Sequence, residues 1–311
     1  MQSRSRRDFL QKALAAGAAC ALPSLPSFAT GLADNDSTNS ELSQALANRV
    51  WDVQRQDWLS EHALMDSITR APFVIVGERH DNLCHQAIER WVIEVLAKKG
   101  KLGGVAMEMI DPSQQVLIDK KPSLYWQDLD DSRLQQQIAW QAHWNWQGYG
   151  QTVKNVFALD KPLLAANVPN TELKALARQP EPDLPKAVAD FQRQAIIEGH
   201  CNLLPDNMIG GMLFVQVARD KAMAKALSSL PKTGVLLCGA GHARLDVGVA
   251  RHMSVKPLSI GLIEVKSGAT LRDAIPKSAN EQLPFDILWF TKAVNRADPC
   301  FELTQRFAKK A

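Results

Sequence analysis

The chain has 311 residues, 46% of them apolar, with 17 Gly and 16 Pro, which suffices for one sizeable core or two modest ones and excludes a collagenous or low-complexity chain. Lys and Arg number 36 against 33 Asp and Glu, and setting aside Arg4, Arg6, Arg7, Lys12 and Asp8 of the leader leaves 32 of each sign. That balance argues against a nucleic-acid binder, which needs a basic excess to neutralise phosphates.

Residues 3–12 read Ser-Arg-Ser-Arg-Arg-Asp-Phe-Leu-Gln-Lys and precede a small-residue apolar run from Ala13 to Leu22, the plan of a signal peptide. Arg6-Arg7 followed by Asp8-Phe9-Leu10 matches the twin-arginine export pattern. Ser27-Phe28-Ala29 satisfies the small-x-small rule, so residues 1–29 form the predicted leader. Cys20, after Gly17-Ala18-Ala19, offers a second end as an acylated lipoprotein residue, although Gly17 stands where Leu is usual. Residues 30–43 are polar and read as a linker. No other stretch approaches the ~18 apolar residues of a membrane span, so the expected location is the periplasm, free or held by a lipid at Cys20. The remaining cysteines, Cys84, Cys201, Cys238 and Cys300, are too few for a disulfide framework and lack CxxC spacing. Buried free thiols are the plain expectation, with one bridge or a ligand role as the alternative.

After the linker the chain turns helical, and a domain is expected over 44–311. Phe73 to Gly77 is a continuous apolar strand, followed by a helix over Gln86 to Lys99 with Ile88, Trp91, Val92, Val95 and Leu96 on one face. Leu102 to Met109 reads as the next strand. Residues 111–161 are rich in Gln and Trp, Pro162 to Val168 is strand-like, and three helices follow over Glu172 to Arg178, Lys186 to Glu198 and Asn207 to Leu227. Gly234 to Gly239 and Leu258 to Val265 are further buried strands. Continuous apolar strands alternating with helices predict an α/β fold, a parallel sheet flanked by helices, with a smaller all-helical insertion within about 111–227.

In such a sheet, ligands bind beyond the carboxyl ends of the strands. The residues delivered there are Gly77, Glu78, Arg79, His80 and Asp81, then Glu108, then Asn167, then Gly239, Gly241, His242 and Arg244. Glu78, His80, Glu108 and His242, supported by Asn167 and Arg244, form a candidate divalent-metal or acid/base set, since imidazole and carboxylate suit both. Capping of strand-to-helix turns is the plainer role for any one of them. A dinucleotide fingerprint starting at Gly239 fails at Arg244, and HExxH, Walker and GxSxG motifs are absent. Trp140, Trp144 and Trp146 cluster with Tyr149, one of two tyrosines, and Met208 and Met212 lie four apart on a predicted helix. Such a patch either packs a core or walls a flat apolar ligand.

The stretches Val76–Asp81, Ala106–Met109, Trp144–Tyr149, Ala165–Pro169, Gly199–Cys201 with Leu204-Pro205, Gln216–Asp220 and Gly239–Arg244 together resemble the ChaN family of haem-binding, iron-regulated proteins. That family belongs to a superfamily with the Tiki proteases and erythromycin esterases. The resemblance implies a role in haem or iron uptake, with outer-membrane or other uptake components as partners. It implies ferric haem held by a tyrosinate, a hard ligand suited to Fe(III), with Tyr149 the matching residue and Tyr125 outside the motifs. Trp144, Trp146, Met208 and Met212 would wall the pocket, His200 or His143 would meet a propionate, and two copies would stack their haems in a homodimer. The wider superfamily implies instead a metal-dependent hydrolase at Glu78, His80, Glu108 and His242.

Overall fold

The computed structural model describes residues 46–301, apart from 232 and 299, together with 304. The leader, the linker over 30–43 and Cys20 lie outside the described residues. In chain order the elements are β1 (Val50–Asp52), β2 (Asp57–Trp58), α1 (Glu61–Arg70), β3 (Phe73–Glu78), α2 (Leu83–Lys98), β4 (Gly104–Met107), α3 (Pro112–Ile118), α4 (Ser123–Gln127), α5 (Asp131–Gln137), α6 (Trp146–Ala158) and β5 (Leu163–Ala165). They continue as α7 (Leu173–Leu176), α8 (Lys186–Gly199), α9 (Asp206–Ser229), β6 (Gly234–Gly239), α10 (Ala240–Ala243), a 3-10 turn (Val249–His252), β7 (Leu258–Val265), α11 (Leu271–Ala274) and β8 (Ile287–Lys292).

One eight-stranded sheet has the order β2-β1-β8-β7-β3-β6-β4-β5, with every pair from β8 to β5 parallel and β1 antiparallel to both β8 and β2. The parallel core follows the expectation. The antiparallel edge does not, since the chain beyond residue 43 is expected to turn helical. Here Asp52 folds the chain back, its Oδ1 accepting from Gln54 N (3.1 Å) and Arg55 N (2.8 Å), which leaves strands too short to show an alternating pattern.

Alternation along the central strands divides two cores. Val74 and Val76 of β3 and Val235 and Leu237 of β6 face a layer of α1, α2 and α6, whereas Phe73, Ile75, Leu236 and Cys238 face Met223, Ala224 and Leu227 of α9 with Phe285 and Phe290. Much of the expected helical insertion therefore belongs to the sheet's own packing: Ile118, Trp126, Leu134 and Ile138, within or just after α3–α5, join the first core. The part that stands away is the hairpin of α8 and the first half of α9, which buries only Val188, Ala189 and Gln192 on the α8 side. Gly211 permits this arrangement, because a Cβ there would collide with the Ala177 carbonyl after α7.

Cys201, in the α8–α9 turn, is bridged to Cys300 beyond β8. This corrects the reading of the cysteines as free thiols, which among the described residues holds for buried Cys238 alone. Closing 99 residues of chain, the bridge constrains the unfolded state by ~4–5 kcal/mol in the loop-entropy account. Among the described residues no helix is long and apolar enough to cross a membrane.

His85 locks the loop after β3. Its Nδ1 accepts from Arg79 N (2.8 Å), so Nε2 carries the proton and donates to Thr291 Oγ1 of β8 (2.7 Å). Burial depresses its pKa to about 4. A buried neutral His contributes stability above its unfolded pKa near 6.5, lost as pH falls through the folded value. Between pH 7 and pH 4 this group should remove about 3 kcal/mol of unfolding free energy. His85→Gln should be less stable at pH 7 but show a shallower loss in urea titrations across that range. Equal slopes in the two proteins would contradict the assignment.

Candidate functional site

β3, β6 and β4 are neighbours, so their carboxyl ends deliver Glu78 and His80, then the Gly239–His242 turn, then Glu108 to one place. The chain continues from β3 toward β4 on one side and later to β7 on the other, the crossover at which open α/β sheets form their crevices. Gly77 lets the turn carrying His242 pack directly on β3, since a Cβ there would collide with that of Ala243.

The carboxylate of Glu108 is the centre. Gly239 N donates to its Oε2 at 2.8 Å, His80 Nε2 stands 3.8 Å from Oε2, and His242 Nε2 stands 3.7 Å from Oε1. Each imidazole is backed by a second carboxylate: His80 Nδ1 meets Glu78 Oε1 at 3.0 Å and His242 Nδ1 meets Asp220 Oδ1 at 2.6 Å. Gln216 Nε2 also approaches His242 Nδ1 (3.1 Å), while Gln86 and Tyr149 both donate to Glu78. Asn167 fixes the backbone beneath, its Nδ2 donating to the Glu108 carbonyl at 2.8 Å.

Burial opposes the charged form of His80, but the hydrogen bond to Glu78 and the field of Glu108 outweigh it and raise the pKa. Burial likewise opposes protonation of His242, and Glu108 and Asp220 reverse it. For Glu108 burial favours the neutral acid, yet His242, His80 and the Gly239 N–H together hold the carboxylate below its usual range. The floor is thus two imidazoles inclined toward imidazolium around an ionised carboxylate, able to hold and pass protons. Among the described residues no three His, Cys, Asp or Glu side chains are arranged to share one metal ion.

Above this floor opens a cleft of about 1260 Å³, walled by α8 (Phe191, Ala195, Ile196), by the end of β7 and by residues 293–296 after β8. The Cys201–Cys300 bridge ties the α8–α9 turn to the segment that continues from that last wall. His200 lines the cleft with Nδ1 donating to the Ile196 carbonyl (2.7 Å), which leaves an Nε2 lone pair. Arg244 lines it too, held by Asp246 (2.9 and 2.6 Å) and lying over the Phe191 ring at 4.3 Å.

The aromatic residues expected around haem do not line this cleft. Tyr149 is completely buried on α6 and does not line the cleft, and its hydroxyl is engaged by Glu78 and lies 3.3 Å from His80 Nδ1. Burial, with the charges of Glu78 and Glu89, pushes its phenol far above the ordinary value. In this arrangement the phenol is held as a neutral donor to Glu78. Trp144 packs edge-on against His80 (4.9 Å), and Trp140 and Trp146 pack on each other (5.0 Å) in the first core. His143 is exposed beside Trp144, Met208 is 48% exposed at the start of α9, and neither Met208 nor Met212 lines the cleft. Of the residues expected around haem, His200 alone stands in the cleft wall.

Residues 64–253 match the sequence family described as haem-binding uptake, Tiki superfamily, ChaN. The chain belongs to the ChaN family. A solved structure described as cofacial haem binding to ChaN of Campylobacter jejuni superposes with a TM-score of 0.65 at 20% identity, covering 77% of this chain and 95% of that one. The type III effector HopBA1 aligns over 74% of this chain and 92% of its own at 16% identity, with a TM-score of 0.45. Among curated proteins none matches this chain.

Gln86, Gln216, Arg219 and Asp220 complete the site, although nothing in the sequence alone assigns them a role. The last three occupy positions i, i+3 and i+4 of α9, a spacing that puts them on one helix face. Tyr149→Phe tests the buried arrangement. It removes a donor from Glu78 in a closed site, and the denaturant midpoint should fall by the equivalent of about 1–3 kcal/mol. An unchanged midpoint would mean that the hydroxyl is not committed to Glu78.

Proposed function

We propose that this chain is an exported haem-binding protein whose cleft would receive ferric haem, with His200 as the residue that would ligate the iron. The observation that carries the reading is the cleft itself. Its volume of about 1260 Å³ exceeds the roughly 300–1,000 Å³ usual for small-ligand sites, its α8 wall is apolar, and cationic side chains stand at its floor and rim. That combination suits a flat apolar macrocycle bearing carboxylates, in a family described as haem-binding.

His200 is favoured as the iron ligand on tautomer grounds. A metal-binding imidazole usually donates its other N–H to a carbonyl or carboxylate, as His200 does to Ile196. His80 and His242 are held toward their protonated forms and offer poorer lone pairs. Export follows from the twin-arginine leader, and the Cys201–Cys300 bridge supports an oxidising destination. There the protein would be free in the periplasm or anchored at Cys20. A homodimer and contact with haem-uptake components belong to the same reading, given the cofacial haem binding described for the Campylobacter relative. A divalent-metal hydrolase on Glu78, His80, Glu108 and His242 has less support, because these donors are paired with one another and are not gathered around one ion position.

Hemin titration followed by absorption tests the reading on wild type, His200→Ala and Tyr149→Phe. Wild type and Tyr149→Phe should bind saturably with the same ligand-sensitive bands, and His200→Ala should lose those bands and bind at least about tenfold more weakly, a change of ~1.4 kcal/mol. No saturable binding by wild type would overturn the haem reading. Loss of the bands in Tyr149→Phe alone would move ligation to the tyrosine.

A further inference from the structure

We propose that Arg219 is the anion anchor of the cleft, a guanidinium left unpaired by the fold so that it can receive a carboxylate of the bound ligand. Five Arg and Lys side chains line the cleft: Arg79, Arg219, Arg244, Lys266 and Arg296. Three are already neutralised. Arg296 bonds both Asp81 (2.6 and 2.9 Å) and Glu264 (2.7 and 2.6 Å), Arg79 Nε lies 3.6 Å from Asp81 and 4.0 Å from Glu264, and Arg244 holds Asp246. Lys266 is exposed and solvated.

Arg219 differs from all of these. It is half-buried, its Nε is shut away from solvent without a hydrogen-bond partner, and it forms no ion pair among the described residues. A buried charged donor without an acceptor is costly, more so than an unpaired neutral one. Glu108 feels the field of Arg219 but is already bonded by Gly239 N–H and flanked by His80 and His242. The Arg219 position is also rigid. It is one residue before Asp220, which holds His242, and three after Gln216, which approaches the same ring, so α9 places the Arg219 backbone in a fixed relation to the floor. A planar fork of donors matches a carboxylate better than an ammonium does.

The ligand class follows: an apolar body along α8 with at least one carboxylate directed at the floor. The identity of that body rests on the haem reading above, under which the carboxylate is a propionate. The experiment compares hemin with hemin dimethyl ester, which keeps the ring and iron and lacks the anions, on wild type, Arg219→Gln and Arg219→Lys. Wild type should prefer hemin over the ester by about 10- to 100-fold, the range of a charge-assisted hydrogen bond. Arg219→Gln should bind both alike, and Arg219→Lys should recover part of the preference. Equal affinity of wild type for the two compounds, or undiminished preference in Arg219→Gln, would overturn the assignment while leaving haem binding intact. Failure of wild type to bind either compound would overturn the haem reading and the assignment with it.

Discussion

The arrangement of this protein turns on a single buried carboxylate, Glu108, kept ionised between two imidazoles. Burial alone would protonate it, and the Gly239 N–H with the fields of His242 and His80 reverse that preference. Each imidazole in turn needs its own carboxylate, Glu78 or Asp220, so five side chains from the ends of β3 and β4 and from helices α9 and α10 are mutually dependent. Truncating one partner of such a network leaves an uncompensated buried charge, which costs more than the lost contact.

That dependence explains features distant from the floor. β6 lies between β3 and β4, so both flanking strand ends aim at the Gly239 turn, and Gly77 lets this turn sit against β3. α9 serves twice: its second half packs Met223, Ala224 and Leu227 under the sheet, and its middle holds Gln216, Arg219 and Asp220 at the cleft. Behind His80, Tyr149 and Gln86 complete the shell of Glu78. Further in, Glu89 is fully enclosed with neither oxygen hydrogen-bonded among the described residues, and burial with the charge of Glu78 raises its pKa well above the ordinary range.

Much of this was legible in the sequence because apolar strands end abruptly in polar residues. Phe73–Gly77 and Gly234–Gly239 point straight to Glu78, His80 and His242, and the ChaN resemblance includes those same strand ends. β8 carries only four apolar residues in a row, Ile287 to Phe290, and β1 and β2 are too short to carry a period. The direction of a side chain is a different matter. Tyr149 lies in a family motif beside three Trp, yet its helix turns it inward to Glu78, a choice made by packing 71 residues away in sequence. The Cys201–Cys300 bridge spans 99 residues, and no local pattern announces it.

The central claim is that the ligand lies over Glu108, between α8 and the strand ends. Anomalous diffraction at the iron edge from hemin-loaded crystals tests it most directly. The account predicts an iron peak inside the cleft on the His200 side, with α6 and its tryptophans in their present packing. An iron peak beside Tyr149, with α6 displaced to expose the phenol, would contradict it.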